Sequence, residues 1–295
     1  MESDLHIRGR RSPRVKDPDR PELWWTMRWM SKYHGGGKSF NMNGLLRRRQ
    51  RLRKALIILS FVLMPITFVY ISCPIITRGA SEGIVTGGLM VFILIFISSL
   101  FLGRLWCGWL CPAGGLQEIY FQINDRKTNH GRLNWIKYLI FLLLFAPLIL
   151  AVRSAGGFTA IDPFYYTDHG ISIAKEGAYT IFYAQITFIT IFAIAAGRRG
   201  FCHYFCPIAV IMIIGRKMRN LFRWPALRLF ADGDRCTGCS RCSTTCPMGL
   251  DVLDMIQRRW MEDAECILCG GCVDACPEGA IRYALWERGN SRRER

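Results

Sequence analysis

One cysteine pattern occurs twice near the C-terminal end of this sequence, and it dictates what that part of the chain must build. Cys236, Cys239, Cys242 and Cys246 precede Pro247, and Cys266, Cys269, Cys272 and Cys276 precede Pro277. Each run is C-x2-C-x2-C-x3-C-P, the spacing with which two [4Fe-4S] cubes exchange their fourth ligands. Three thiolates on a tight loop hold one cube, and the fourth, redirected by its proline, reaches the other. Cys236, Cys239, Cys242 and Cys276 are therefore assigned to one cluster, and Cys266, Cys269, Cys272 and Cys246 to the second. Zinc sites or a disulfide scaffold would also consume these cysteines, but two complete copies with both prolines weigh against them. The small residues between the ligands (Thr237, Gly238, Ser240, Gly270 and Gly271) let backbone N–H groups approach cluster sulfurs closely.

Clusters need reduced thiolates, which places this region on the cytoplasmic side of a membrane or in the cytoplasm itself. The formal net charge of +17 would suggest nucleic acid in a soluble protein, but 51% of the residues are hydrophobic. The basic residues flank long apolar runs, the pattern of a membrane protein with positive inner loops. No nucleic-acid-binding signature accompanies them, so nucleic acid is not expected as a partner. The runs Ala55–Ile76, Gly83–Leu102, Trp135–Val152 and Gly177–Ala196 are each near the roughly 20 residues that a span requires. Lys137 lies near the edge of the third, where a lysine can snorkel. No cleavable signal peptide is expected, since the first 50 residues are polar and basic. Basic residues cluster before the first run, between the second and third, and after the fourth (Arg47–Lys54, Arg104–Arg132, Arg198–Arg219). The positive-inside rule then predicts a multi-pass protein of the cytoplasmic membrane with both termini inside.

Residues 1–46 are expected to form a basic cytoplasmic arm, largely disordered, with a candidate interfacial helix over Leu23–Met30. Residues 47–220 are expected to be the membrane domain, 221–289 the iron–sulfur domain, and 290–295 a tail. Residues 215–230 would link the two domains, and a helix is expected over Asp251–Arg259. The membrane part is a two-repeat structure. Arg104-x-Trp106-Cys107-x3-Cys111-Pro112 matches Arg199-x-Phe201-Cys202-x3-Cys206-Pro207, each pair at the inner end of an even-numbered run. Proline disfavours helix at the preceding cysteine and suits the first position of a new helix. Cys111 and Cys206 are thus placed at helix N-termini, where the dipole favours thiolate. The apolar stretches that follow, Ala113–Ile123 and Ile208–Ile214, are too short to span and suit interfacial or re-entrant helices. If the repeats face each other, Cys107, Cys111, Cys202 and Cys206 converge and suit a further iron–sulfur centre or zinc. The alternative is four inert buried cysteines; Cys73, which has no repeat partner, is assigned to packing.

Four spans, two CxxxCP motifs and a terminal double C-x2-C-x2-C-x3-C-P together resemble the NapH-type membrane polyferredoxins. The resemblance covers about residues 50–285. The NosR-type and CcoG/RdxA-type proteins share this core but add an outer flavin-binding domain or a C-terminal β-rich domain, for which this chain leaves no room. The resemblance implies an α-helical integral membrane protein with four transmembrane helices and a C-terminal α+β ferredoxin-like domain. It also implies electron transfer between the quinone pool and a partner oxidoreductase.

The expected function is a membrane-bound relay with two [4Fe-4S] clusters, an electron-transfer subunit and not a stand-alone enzyme. A redox-active assembly or regulatory factor for a respiratory enzyme is the alternative. A soft-metal transporter is a weaker one, because no acidic or histidine chain lines the apolar runs. For quinone, the outer loop offers Asp162, Tyr165 and His169: an aromatic ring with two proton-exchanging groups. The same residues would equally suit an interfacial aromatic belt and an ordinary helix cap. Gln185 at membrane depth suits a bond to a neighbouring helix, and His203 between the second cysteine pair is either a ligand or an exposed neighbour.

Overall fold

The structure is a computed structural model that describes residues 42–128, 132–174 and 177–286. The expected arm, its tryptophan-containing helix and the tail lie outside the described residues. From Gly44 onward the chain forms one compact unit.

Among the described residues, two helices are long and apolar enough to cross a membrane: α7 (Ile136–Ser154) and α8 (Ala178–Ala196). Both match expected spans to within two residues. On α7, Leu142, Leu143, Ile149 and Leu150 point outward, 59–66% exposed. A helix with an apolar exterior of this kind is covered by lipid or by another chain. Pro147 sits within α7 without breaking it.

The other two expected spans differ from single long helices. The first begins earlier, as α1 (Met42–Val62), and is followed by α2 (Met64–Thr67) and a 3₁₀ turn over Phe68–Ile71. The two halves meet at a 57° bend, so the pair counts as one span only if the bend lies within the membrane. Pro65 stands at the start of α2, where its missing N–H and its ring prevent the helix from continuing straight. Pro74 then opens α3 (Cys73–Ser81). The second expected span is shorter than its apolar run. Ile84–Thr86 forms strand β1, and the helix α4 starts only at Gly87 and ends at Leu102. Thr86 caps it, its Oγ1 accepting from the Leu89 N–H at 3.3 Å. At 16 residues α4 is about 24 Å long at about 1.5 Å per residue, less than the roughly 30 Å hydrocarbon core. β1 pairs in parallel with β2 (Ala160–Asp162), from Ile84 opposite Ala160 to Thr86 opposite Asp162. That pairing joins the loop before α4 to the loop after α7.

Each repeat then folds in the same way. A five-residue helix, α5 (Leu105–Trp109) or α9 (Gly200–Tyr204), carries the first cysteine, and a second helix begins at the proline: α6 (Pro112–Ile119) or α10 (Pro207–Leu221). Cys111 and Cys206 are the extended N-cap residues, with ψ of 117° and 113°. This is the conformation that the following prolines favour. α10 continues well past its apolar stretch and packs on α4 at Gly215, where a Cβ would lie 1.8 Å from Ser99 Oγ. Residues 215–221 therefore extend a helix rather than linking domains. The joining segment shrinks to 222–225, because Ala226–Ala231 form β3, antiparallel to β4 (Ile281–Trp286).

Between those strands lie α11 (Arg241–Thr245), α12 (Val252–Gln257) and α13 (Gly271–Ala275). α12 is the expected helix, capped by Asp251 accepting from the Asp254 N–H. One hydrophobic cluster runs from Phe92 and Ile189 on the membrane helices through Ile208 and Met212 to Met248, Met255 and Ile267.

Candidate metal centres

The two C-terminal cysteine runs adopt one local design. Left-handed residues flank the second cysteine of each: Gly238 (φ 74°) and Ser240 (φ 57°) about Cys239, Leu268 (φ 50°) and Gly270 (φ 76°) about Cys269. Such turns bend successive backbone N–H groups into a concave surface suited to anions. The third cysteine is the second residue of α11 or α13, and the fourth is that helix's C-cap, before its proline. Cys246, Cys266, Cys269 and Cys272 line a single apolar cavity with Met248 and Met255. Two segments twenty residues apart in sequence thus supply one thiol-lined void. In the other set Cys242 is buried beside Cys236, Cys239 is exposed, and Cys276 Sγ accepts from the Ala280 N–H at 3.3 Å.

The CxxxCP cysteines are all buried, at 3–6% exposure. Cys206 lies within electrostatic reach of Cys202, Cys111 and Cys107, so the facing repeats bring the four together. Gln117, on α6, holds the second repeat in place. Its Nε2 donates to Cys202 Sγ at 3.2 Å and its Oε1 accepts from the Phe201 N–H at 3.1 Å. Met212 Sδ lies 3.4 Å from Cys107 Sγ. Among the described residues no three metal-binding side chains converge as they would around a single ion. A lone zinc would require that convergence, with sulfurs about 2.3 Å from one point. All-thiolate donor sets of this kind suit iron–sulfur clusters.

The membrane cysteine loop rests directly on the second C-terminal motif. A Cβ on Gly108 would lie 2.5 Å from the Ile267 carbonyl oxygen and 3.5 Å from Cys269 Cα. Trp109 Nε1 donates to the Leu268 carbonyl at 3.3 Å. Buried ion pairs fix the contact. Glu265, next to Cys266, accepts from Arg104 Nη1 at 2.8 Å and from Lys137 Nζ. Burial alone would raise its pKa, but Arg104 and Lys137 hold it down at about 2. Glu118 pairs with Arg53 at 2.7 Å and Arg199 at 2.5 Å, and Arg199 also donates to the Cys107 carbonyl. Lys137 is 1% exposed, so it does not snorkel; a carboxylate 128 positions away holds it inside. His203 is fully buried, its Nε2 3.1 Å from the Met248 carbonyl, and is no exposed neighbour. Sequence reasoning missed Arg53, Gln117, Glu118 and Glu265. The one available signal was the matched arginine that opens each CxxxCP motif.

Asp162 and His169 are exposed in the loop between α7 and α8, and Tyr165 is half-buried. His169 stands 95% exposed, and Asp162 Oδ1 accepts from the Phe164 N–H. None of the three lines the cavity of about 460 Å³ that lies between α7 and α8. That cavity is bounded by Ser72, Cys73, Trp106 and Gln185, and at one end by Cys111 and Cys206. Ser72 Oγ and Trp106 Nε1 are buried there without a hydrogen-bond partner.

A family profile described as a 4Fe-4S binding domain matches residues 84–129 and again 179–225, once over each CxxxCP repeat. A 4Fe-4S dicluster domain matches residues 235–281. An uncharacterized protein of Methanocaldococcus jannaschii is 24% identical over 218 residues, 70% of this chain and 72% of that protein. The putative electron transport protein YccM of Escherichia coli is 22% identical over 68% of this chain and 57% of its own length. The regulatory protein NosR of Pseudomonas aeruginosa is 27% identical over 61% of this chain, but that is only 26% of NosR. No solved structure matches the chain. Repeated thiol-bearing helices, a double four-cysteine motif packed on them, and these relatives together make the chain a member of the NapH/NosR-like membrane polyferredoxins, iron–sulfur proteins of electron transfer.

Proposed function

We propose that the chain is an electron-transfer subunit of the cytoplasmic membrane, relaying electrons between the quinone pool, or another membrane redox partner, and a partner oxidoreductase. Residues 47–220 are the membrane domain, with four crossings, and 221–289 the ferredoxin domain, with both termini in the cytoplasm. Cys236, Cys239, Cys242 and Cys276 hold one [4Fe-4S] cluster. Cys266, Cys269, Cys272 and Cys246 hold another. Cys107, Cys111, Cys202 and Cys206 hold a third iron–sulfur centre. Clusters bound there supply one-electron transfer.

The observation that carries this function is the seat of Gly108 on Ile267 and Cys269. It sets the backbone of the first CxxxCP loop directly against the backbone of the nearer ferredoxin motif. Gln117 and Met212 fix the thiols on the membrane side, and the apolar residues around Cys246 and Cys269 keep water away. The 460 Å³ cavity supports a quinone as the membrane partner. It is apolar, opens beside Cys111 and Cys206, and offers the Trp106 N–H and the Ser72 hydroxyl to a carbonyl oxygen. The exposed Asp162 and His169 lack these features. A regulatory role, which the name of the regulatory protein NosR suggests, would use the same thiols without a quinone.

The test uses membranes that carry the whole protein, with quinol-dependent reduction of the ferredoxin clusters followed by absorbance and iron measured in parallel. Serine at any one of Cys107, Cys111, Cys202 or Cys206 is expected to abolish reduction and to spare the ferredoxin iron. Near-normal reduction in all four variants would make these cysteines packing residues.

A further inference from the structure

The charges buried between the membrane thiols and the ferredoxin motif do not balance. Arg53 and Arg199 share Glu118, and Arg104 and Lys137 share Glu265. Four cations therefore share two carboxylates in direct ion pairs, an excess of two positive charges within these pairs. All four cations are 5% exposed or less, and Arg104 and Arg199 are fully buried. The adjacent group is itself rich in cations: Arg216, Arg219 and Arg228 all pair with Glu262. Asp263, the other nearby acid, is partly exposed and accepts from the Glu265 N–H. Desolvating an unpaired charge is among the most expensive things a fold can do.

The unpaired groups also point to where the missing charge belongs. Arg104 Nε and Nη2 and Arg199 Nε are buried with no hydrogen-bond partner. Arg104 lies within electrostatic reach of Cys107 and Cys202, and Arg199 of Cys202 and Cys111. Each repeat contributes one of these arginines, three positions before its first cysteine. Four neutral thiols would leave the surplus standing. Four thiolates around a cluster core that carries two positive charges form a dianion, which cancels it.

We propose that Arg104 and Arg199 are the counter-cations of one dianionic metal–thiolate centre at Cys107, Cys111, Cys202 and Cys206, and that their fixed charge sets its reduction potential. The proposal rests on the third centre of the proposed relay. Reduction adds one electron and makes the centre a trianion. Two guanidiniums stabilise the trianion more than the dianion, so they raise the potential. They are positioning residues that act through the field and bind no iron.

The test is a redox titration of the purified, anaerobically reconstituted protein, followed by electron paramagnetic resonance. Arg104→Gln and Arg199→Gln are each expected to lower the centre's reduction equilibrium about tenfold, 59 mV for one electron. Arg104→Lys and Arg199→Lys keep the charge and are expected to restore most of it. Glu118→Gln removes a negative charge and is expected to shift the potential upward. Opposite signs for the two kinds of neutralisation distinguish charge from damage, since a structural role would not follow the sign. If either glutamine variant does not accumulate, the lysine variants and Glu118→Gln still decide the matter. A centre whose potential ignores all these changes, or falls as far with lysine as with glutamine, overturns this inference alone. A chain with loaded ferredoxin clusters and no metal at the four membrane cysteines overturns it together with the third centre of the relay.

Discussion

Gly108 is the residue on which the proposed transfer depends most directly. Any side chain there must displace the Ile267 carbonyl, which is backbone and cannot swing aside. Gly108→Ala is therefore expected to push the CxxxCP loop away from Cys269. Quinol-driven reduction of the ferredoxin clusters should slow at least tenfold while iron content stays normal, as measured by stopped-flow absorbance and iron analysis. Unchanged rates would place the transfer route elsewhere. Glu265 is the second such residue. Removing one partner from a buried ion pair costs about 3–5 kcal/mol, and here one carboxylate serves both Arg104 and Lys137. Glu265→Ala should lower the thermal midpoint and expose the 222–225 segment to limited proteolysis. Gly108 carries no signal in the sequence, because its role depends on a carbonyl more than 150 residues away.

At the scale of elements, what was legible is what local chemistry decides. The CxxxCP prolines imply an extended cysteine followed by a helix, and both Cys111 and Cys206 are such N-caps. The apolar runs of α7 and α8 end within two residues of their helices, because an uninterrupted apolar run of about 20 residues itself favours one continuous helix. Distant partners decided the rest. Ile84–Thr86 belongs to an apolar run, yet it is drawn into a strand by residues 160–162. Lys137 resembles an interfacial lysine until Glu265 is placed beside it. The length of α10 depends on Gly215 meeting Ser99, which hydropathy cannot show. Gly215→Val should force α10 off α4 and destabilise the chain by roughly 1–3 kcal/mol or more, as overpacking does. Thermal unfolding in detergent would show this as a lowered midpoint, and Ser99→Ala in the same chain should recover part of it.

For the whole molecule, the basic-residue asymmetry predicts that a cytoplasmic reporter fused at Arg295 is active and that one fused near Gly170 is not. A periplasmic reporter should show the reverse, and a periplasmic C-terminus would invert every assignment of sides. The two C-terminal thiol sets are also unequally sheltered. In one set Cys246, Cys269 and Cys272 are buried and Cys266 half-buried, whereas in the other Cys242 is buried, Cys236 and Cys276 are half-buried and Cys239 is exposed. Oxygen and peroxide attack iron–sulfur sites from the solvent side, so air should damage the molecule in a fixed order. Bleaching in air is expected in two phases, with half of the ferredoxin-domain iron lost fast and the remainder slowly, and the fast phase missing in Cys239→Ser. In the proposed relay, a brief oxidative burst would then remove the exposed cluster and keep the inner one, and refilling one site would restore the chain.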